Sequence, residues 1–151
     1  MNFKVKIGEH SSKEYCSWEE VEFLIKLLAD RIQKSNKKYD VILGITNGGI
    51  IPARLMAREL DNNYIQLIPV RNKKLHREEL PLFYENKKYL VIDEICDTGN
   101  TFSKVADALK VVHCDFAFLI SRYKHNSGAL VGKILNHNKW VVFPWERKGG
   151  C

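Results

Sequence analysis

No run of about 18 or more apolar residues occurs in the 151-residue chain, so nothing in it reads as a membrane-spanning helix. Met1 to Glu9 carries basic residues but no continuous apolar stretch, so a secretory leader is not expected. The four cysteines, Cys16, Cys96, Cys114 and Cys151, are scattered and form no C-x-x-C. That argues against a zinc site or a disulfide framework and fits a reducing, cytoplasmic setting. Five histidines offer no H-E-x-x-H pairing. Low-complexity tracts are absent, as are a helix-turn-helix pattern and an aromatic-rich platform for RNA.

What is present is the composition of an ordinary globular chain, 45% hydrophobic and 28% charged, expected to form a single domain over 1–151. The net charge of +6 invites an anionic partner, either nucleic acid or a phosphorylated metabolite. Basic residues gather in Lys34–Lys38, in Arg71–Lys88 and near Arg147-Lys148 rather than along one helical face.

In chain order, a short strand around Phe3–Ile7 is followed by Ser17-Trp18-Glu19-Glu20, a capping-box pattern. The helix it opens carries Val21, Leu24, Ile25, Leu28, Ala29 and Ile32 on one face and ends near Lys34. Val41–Ile45 is a continuous apolar run, as in a parallel strand buried on both faces. Thr46-Asn47-Gly48-Gly49 and a helix over Ile50–Leu60 complete one strand–glycine loop–helix unit, and the apolar residues of that helix suit a dimer or tetramer contact. Tyr64–Val70 reads as a strand. The basic segment 71–88 then loses all period and is expected to be a mobile lid or hairpin over an anionic ligand. Phe116–Ile120 and Trp140–Phe143 are further strands, with a looser stretch at 127–138. Alternating strands and helices imply a mostly parallel sheet with right-handed crossovers.

The densest chemistry lies in Tyr89–Thr101. A buried-looking strand ends on two adjacent acids, Asp93 and Glu94, and a glycine-containing turn leads into a helix over Phe102–Lys110. Backbone N–H groups at such a helix start suit a phosphate. The two acids do not bind that phosphate, so they serve sugar hydroxyls or a hydrated Mg²⁺.

Asp93-Glu94-Ile95-Cys96-Asp97-Thr98-Gly99-Asn100-Thr101 resembles the phosphoribosyl diphosphate (PRPP) signature of type I phosphoribosyltransferases. The likeness extends to Ser17-Trp18, the Gly44–Pro52 loop, Ala57–Leu60 and Trp140–Glu146, which resemble the xanthine-guanine branch. The resemblance implies a twisted, mostly parallel α/β sheet flanked by helices, with a small C-terminal hood at 122–146 that binds the base. It implies a Mg²⁺-dependent enzyme moving the phosphoribosyl group of PRPP to N9 of a 6-oxopurine (guanine, xanthine or hypoxanthine) in purine salvage. By the same resemblance Asp97, Thr98, Gly99, Asn100 and Thr101 hold the 5′-phosphate, and Asp93 and Glu94 hold the ribose hydroxyls and Mg²⁺, directly or through water. Thr46, Asn47, Gly48 and Gly49 meet the diphosphate, often through a non-proline cis peptide in this family; Asn47 stands where the branch has Arg. Arg77 matches the family's other diphosphate-binding arginine and a catalytic charge clamp, with Arg71 and Lys73 as weaker candidates. Asp97 assists proton removal near purine N7. Trp140 stacks on the purine, Lys124 or Arg122 donates to O6, and the Val141 and Glu146 backbones touch the C2 substituent. Two alternatives stand beside this reading: a phosphoribosyltransferase for another base, and a PRPP-sensing regulator that binds nucleic acid.

Overall fold

A computed structural model describes residues 12–124 and 128–146. Along the chain the elements are β1 (Lys13–Tyr15), α1 (Trp18–Lys34), β2 (Val41–Ile45), α2 (Ile50–Glu59), β3 (Ile65–Ile68), β4 (Val70–Arg71), β5 (Lys74–Leu75), β6 (Lys88–Cys96), α3 (Asn100–Ala108), β7 (His113–Ser121), β8 (Leu130–Ile134) and β9 (Trp140–Val142). Short 3₁₀ turns at Arg77–Glu79 and Pro144–Glu146 complete them. The strand expected at Phe3–Ile7 and the polar tail lie outside the described residues.

The apolar runs become the central strands. Five of them form one sheet in the order β3-β2-β6-β7-β8, with every neighbouring pair parallel. Each central strand is covered on both faces, which explains why all five residues of β2 are buried. On one face α1 and α2 pack through Leu24, Leu28, Ala53 and Met56 onto Ile42, Leu90 and Ile92. On the other, Val105 and Leu109, in and just after α3, close over Leu43, Val91 and Phe118. The chain enters the sheet at β2, runs outward to β3 and then returns across β2 to β6. The order therefore reverses between β2 and β6, and the crevice beyond their carboxyl ends is where such sheets bind ligands. Both loops singled out in the sequence, 46–49 and 97–101, follow those two strands.

α1 starts where the capping residue places it: Ser17 Oγ accepts from Glu20 N at 3.1 Å. The reciprocal half of the box is not made, because the Glu20 carboxylate turns to Lys133 Nζ at 2.9 Å. Elsewhere the boundaries move for local reasons. The strand expected over Tyr64–Val70 breaks at Pro69, which has no N–H for the ladder, and splits into β3 and β4. α3 begins at Asn100, two residues early, because Gly99 in the left-handed region (φ 90°) turns the chain directly into the helix. The loose stretch at 127–138 contains β8, the fifth strand, whose Gly132 and Lys133 hide its pattern.

The segment after β4 is a tight antiparallel hairpin, β4–β5, whose central residues Asn72 and Lys73 both have positive φ (50° and 62°). That geometry belongs to a type I′ turn, which matches the twist of a two-residue hairpin. Arg71 grips Glu79 in a two-pronged pair at 2.8 and 2.7 Å. Lys104 Nζ on α3 donates to Lys73 O at 3.0 Å. At the far side, β1 and β9 form a separate parallel pair, Lys13 opposite Trp140, so the N-terminal segment carries the C-terminal hood.

Candidate active site

The crevice has two compartments that share Lys73, Asp93 and Thr101 in their walls. The first, ≈ 450 Å³, is lined by Thr46, Asn47, Gly48, Arg71, Lys73, Asp93 and Glu94. The Thr46–Asn47 peptide is cis, in the loop where the family resemblance places such a bond. Thr46 Oγ1 accepts from Val70 N at 2.9 Å and lies within 3.1 Å of the Ile68 and Val70 carbonyls, which ties this loop to the root of the hairpin.

The second compartment, ≈ 340 Å³, is lined by Asp93, Asp97–Phe102, Lys73 and Lys104. Its floor is the start of α3, whose first N–H groups lack partners within the helix and favour an anion. A side chain at Gly99 has no room, because the Tyr123 hydroxyl lies against its α-carbon. Tyr123 lies over the turn at 97–101 and its hydroxyl is 3.3 Å from Cys96 Sγ. That hydrogen bond first, then burial, pushes the phenol up to about 12. Cys96 is buried, and burial raises its thiol, as suits a packing residue rather than a nucleophile.

Asp93 and Glu94 sit at the mouth shared with the first compartment. Burial, then the neighbouring Glu94 charge, drives the Asp93 carboxyl well above the usual range, although Glu94 N donates to Asp93 Oδ1 at 2.7 Å. Glu94 is pushed to about 7 by burial and then by Glu146, against the opposing hydrogen bond from Trp145 Nε1 to its Oε2 at 2.9 Å. Its side chain also lies directly over Gly48, where no Cβ fits. Glu94 thus links the loop at 46–49 to the hood through Trp145.

On the hood, Trp140 is 59% exposed at the start of β9, an open aromatic face. Val141 is buried and Glu146 Oε1 accepts from Phe143 N at 2.9 Å. Trp145 stacks on Phe143 (5.2 Å, 11°). Arg122 and Lys124 differ sharply. Lys124 is exposed, whereas the Arg122 guanidinium reaches Asp97 Oδ1 (2.6 Å) and the carbonyls of His137 (3.1 Å) and Lys139 (2.8 Å).

The crevice therefore brings together Thr46, Asn47, Gly48, Asp93, Glu94 and 97–101, with Trp140 on the hood, while Gly49 is buried behind it against the Ile45 and Ile92 backbones. Arg77 is not among its walls. It sits on the 3₁₀ turn beyond the hairpin and pairs with Asp107 Oδ2 of α3 at 3.0 Å. The cations lining the crevice are Arg71 and Lys73 of the hairpin and Lys104 of α3. Lys104 lines the crevice, Tyr123 lies against Gly99 and Trp145 bonds Glu94; the sequence assigned none of them a role, because each acts through tertiary packing. Among the described residues, a set of three side chains close enough to share a metal occurs at His76, Glu78 and Glu79, on the exposed turn with Glu79 already held by Arg71. No helix among the described residues is long and apolar enough to cross a membrane.

A family model described as the phosphoribosyl transferase domain matches residues 11–146. Xanthine-guanine phosphoribosyltransferase of Idiomarina loihiensis is 28% identical, over 93% of this chain and 91% of that protein. The enzyme of the same name from Desulfotalea psychrophila is 30% identical, over 86% and 84%. Among solved structures, a purine phosphoribosyltransferase from Pyrococcus horikoshii superposes with a TM-score of 0.73 at 24% identity, covering 93% of this chain and 97% of its own.

Proposed function

The chain belongs to the phosphoribosyltransferase family, and from that premise we propose that it transfers the 5-phosphoribosyl group of PRPP to N9 of a 6-oxopurine, releasing diphosphate. One observation carries the reading. Two anion cradles, 46–49 and 97–101, flank the Asp93–Glu94 acids across the sheet's switch point, and the exposed Trp140 face stands on the hood beyond. The relatives named for xanthine and guanine support a 6-oxopurine as the base.

The N–H groups at the start of α3 and the Thr98 and Thr101 hydroxyls would take the 5′-phosphate. Asp93 would accept from the ribose hydroxyls. When diphosphate leaves, the sugar becomes oxocarbenium-like, and the reaction needs charge neutralisation more than a covalent nucleophile. Arg71 and Lys73 line the compartment where that charge would gather. They stand in for the cation that Asn47 does not supply. Mg²⁺ fits the same wall: Asp93 and Glu94 offer hard carboxylate oxygens, and their raised pKa values reflect crowded, desolvated negative charge that a cation relieves. Bound there, Mg²⁺ would supply positive charge to the ribose and diphosphate oxygens. Asp97 would accept or share the proton on the imidazole side of the purine, Trp140 would stack on the ring, and the exposed Lys124 would meet O6. The nucleic-acid regulator has less support, because the sequence shows neither a helix-turn-helix pattern nor an aromatic-rich platform for RNA.

The test is incubation with PRPP, Mg²⁺ and guanine, xanthine, hypoxanthine or adenine, with chromatography for the nucleotide. Nucleotide and diphosphate are expected from at least one 6-oxopurine and not from adenine. No product from any base would overturn the reading.

A further inference from the structure

We propose that Arg122 is a positioning residue, a strut that fixes the Asp97 carboxylate against the turn carrying Trp140. It deepens the reading above and rests on it for its kinetic consequence. The backbone prepares the geometry. β6 and β7 are parallel with Cys96 opposite Ser121, and Arg122 N continues the ladder by donating to Cys96 O at 3.1 Å. The Arg122 side chain therefore starts beside Asp97, one residue beyond the end of each strand.

The guanidinium then spans the gap to the hood. Its Nε donates to Asp97 Oδ1 at 2.6 Å, Nη1 to His137 O at 3.1 Å and Nη2 to Lys139 O at 2.8 Å. Three nitrogens of one rigid plane thus hold three acceptors from two separate loops, which the point charge of a lysine does not reproduce. The Arg122 side chain is 16% exposed, so its stem is held within the protein while its head reaches the half-exposed Asp97. Three of its five N–H bonds, one on each nitrogen, are committed in this arrangement, which fixes the plane of the guanidinium.

The receiving turn is itself braced. Lys139 N donates to His137 Nδ1 at 3.1 Å, so the neutral ring carries its proton on Nε2 and gives it to Glu14 Oε1 at 2.7 Å. The next residue, Trp140, anchors its N–H on Ser12 O at 2.9 Å. A continuous chain of bonds therefore runs from the phosphate loop through Arg122 to the aromatic face. It sets the distance between the group that handles the purine's proton and the ring that stacks on it.

Two measurements test the strut. In steady-state kinetics, R122M is expected to lower kcat/KM for the base by about 100-fold, as a misplaced reacting group does. R122K should recover part of that loss, and the KM for PRPP should move less than about threefold. In a D97N background the same R122M change should matter much less, since the two residues act as one unit. A loss below about threefold in the otherwise native enzyme, or an undiminished loss beside D97N, overturns the proposal. The second measurement needs no turnover: amide exchange of Trp140–Val142 should quicken at least about tenfold in R122M, or in R122K if R122M does not fold. Unchanged exchange overturns the strut whether or not the protein proves to be a transferase. Absent activity in the native protein with quickened exchange overturns only the functional reading.

Discussion

Glu94 joins three neighbours that are far apart in sequence: Gly48 beneath it, Trp145 bonded to it and Glu146 repelling it. Its folded pKa of about 7 lies above the ordinary carboxylate value, so the folded state holds a proton that the unfolded chain releases. The sign follows from linkage: below about pH 4 both states are protonated and there is no penalty. Between the ordinary value and about 7 the penalty accumulates, and above 7 it is complete. Glu94→Gln removes the charge and keeps an acceptor for Trp145. Urea unfolding of the ligand-free protein should show E94Q more stable than the native chain by about 2 kcal/mol at pH 8 and near parity at pH 4. Equal differences at both pH values would contradict the assignment. This side chain also marks the limit of sequence reading at the residue scale. The acid pair and the Thr98-Gly99-Asn100-Thr101 turn stood out because their chemistry is local and contiguous. The roles of Trp145, Tyr123 and Arg122 depend on contacts across dozens of residues, and no spacing rule reports those.

The hairpin β4–β5 shows the same division at the level of elements. Basic residues without period predicted a lid or hairpin, and the positive φ values of Asn72 and Lys73 create the hairpin form. Neither residue is the glycine that usually announces such a turn, so the turn was invisible in the sequence. The consequence is a clean substitution. Lys73→Gly suits φ 62° and leaves the turn intact, with stability within about 0.5 kcal/mol of the native chain. The KM for PRPP should rise roughly tenfold, the weight of one charge-assisted hydrogen bond, and rise less in high salt. A steady-state titration at two ionic strengths would show it; an unaltered KM would remove Lys73 from the anion site. Central strands β2, β6 and β7 were legible because burial on both faces leaves an unbroken apolar run. β1 and β8 were not, since short strands with mixed residues carry no period.

Across the whole molecule, the switch point between β2 and β6 gathers the loops at 46–49 and 97–101, while the hood hangs on the β1–β9 pair. Glu14 of β1 is central to that suspension, bonding His137 at 2.7 Å and Lys133 at 3.4 Å. Burial works against its charge, but His137 and Lys133 prevail and its pKa is lowered. Its stabilising part is therefore present above the ordinary carboxylate value and fades as pH falls through the lowered one. Glu14→Ala should cost about 1–2 kcal/mol near neutral pH and raise the KM of the base more than that of PRPP. Denaturant unfolding with paired kinetics would check both; a selective effect on PRPP would argue against the division of labour. The parallel α/β plan was legible from alternating apolar runs, but the pairing of Lys13 with Trp140 joins opposite ends of the sequence and left no local trace. That pairing orders events during synthesis. As the chain emerges from the ribosome, β2 to β7 and the loops at 46–49 and 97–101 are synthesised before β9, so the two sides of the crevice become available in a fixed order. The hood depends on a contact between β1 and β9, which are 127 positions apart at Lys13 and Trp140, and such a long-range pairing is costly to form until the rest of the sheet has brought its partners together.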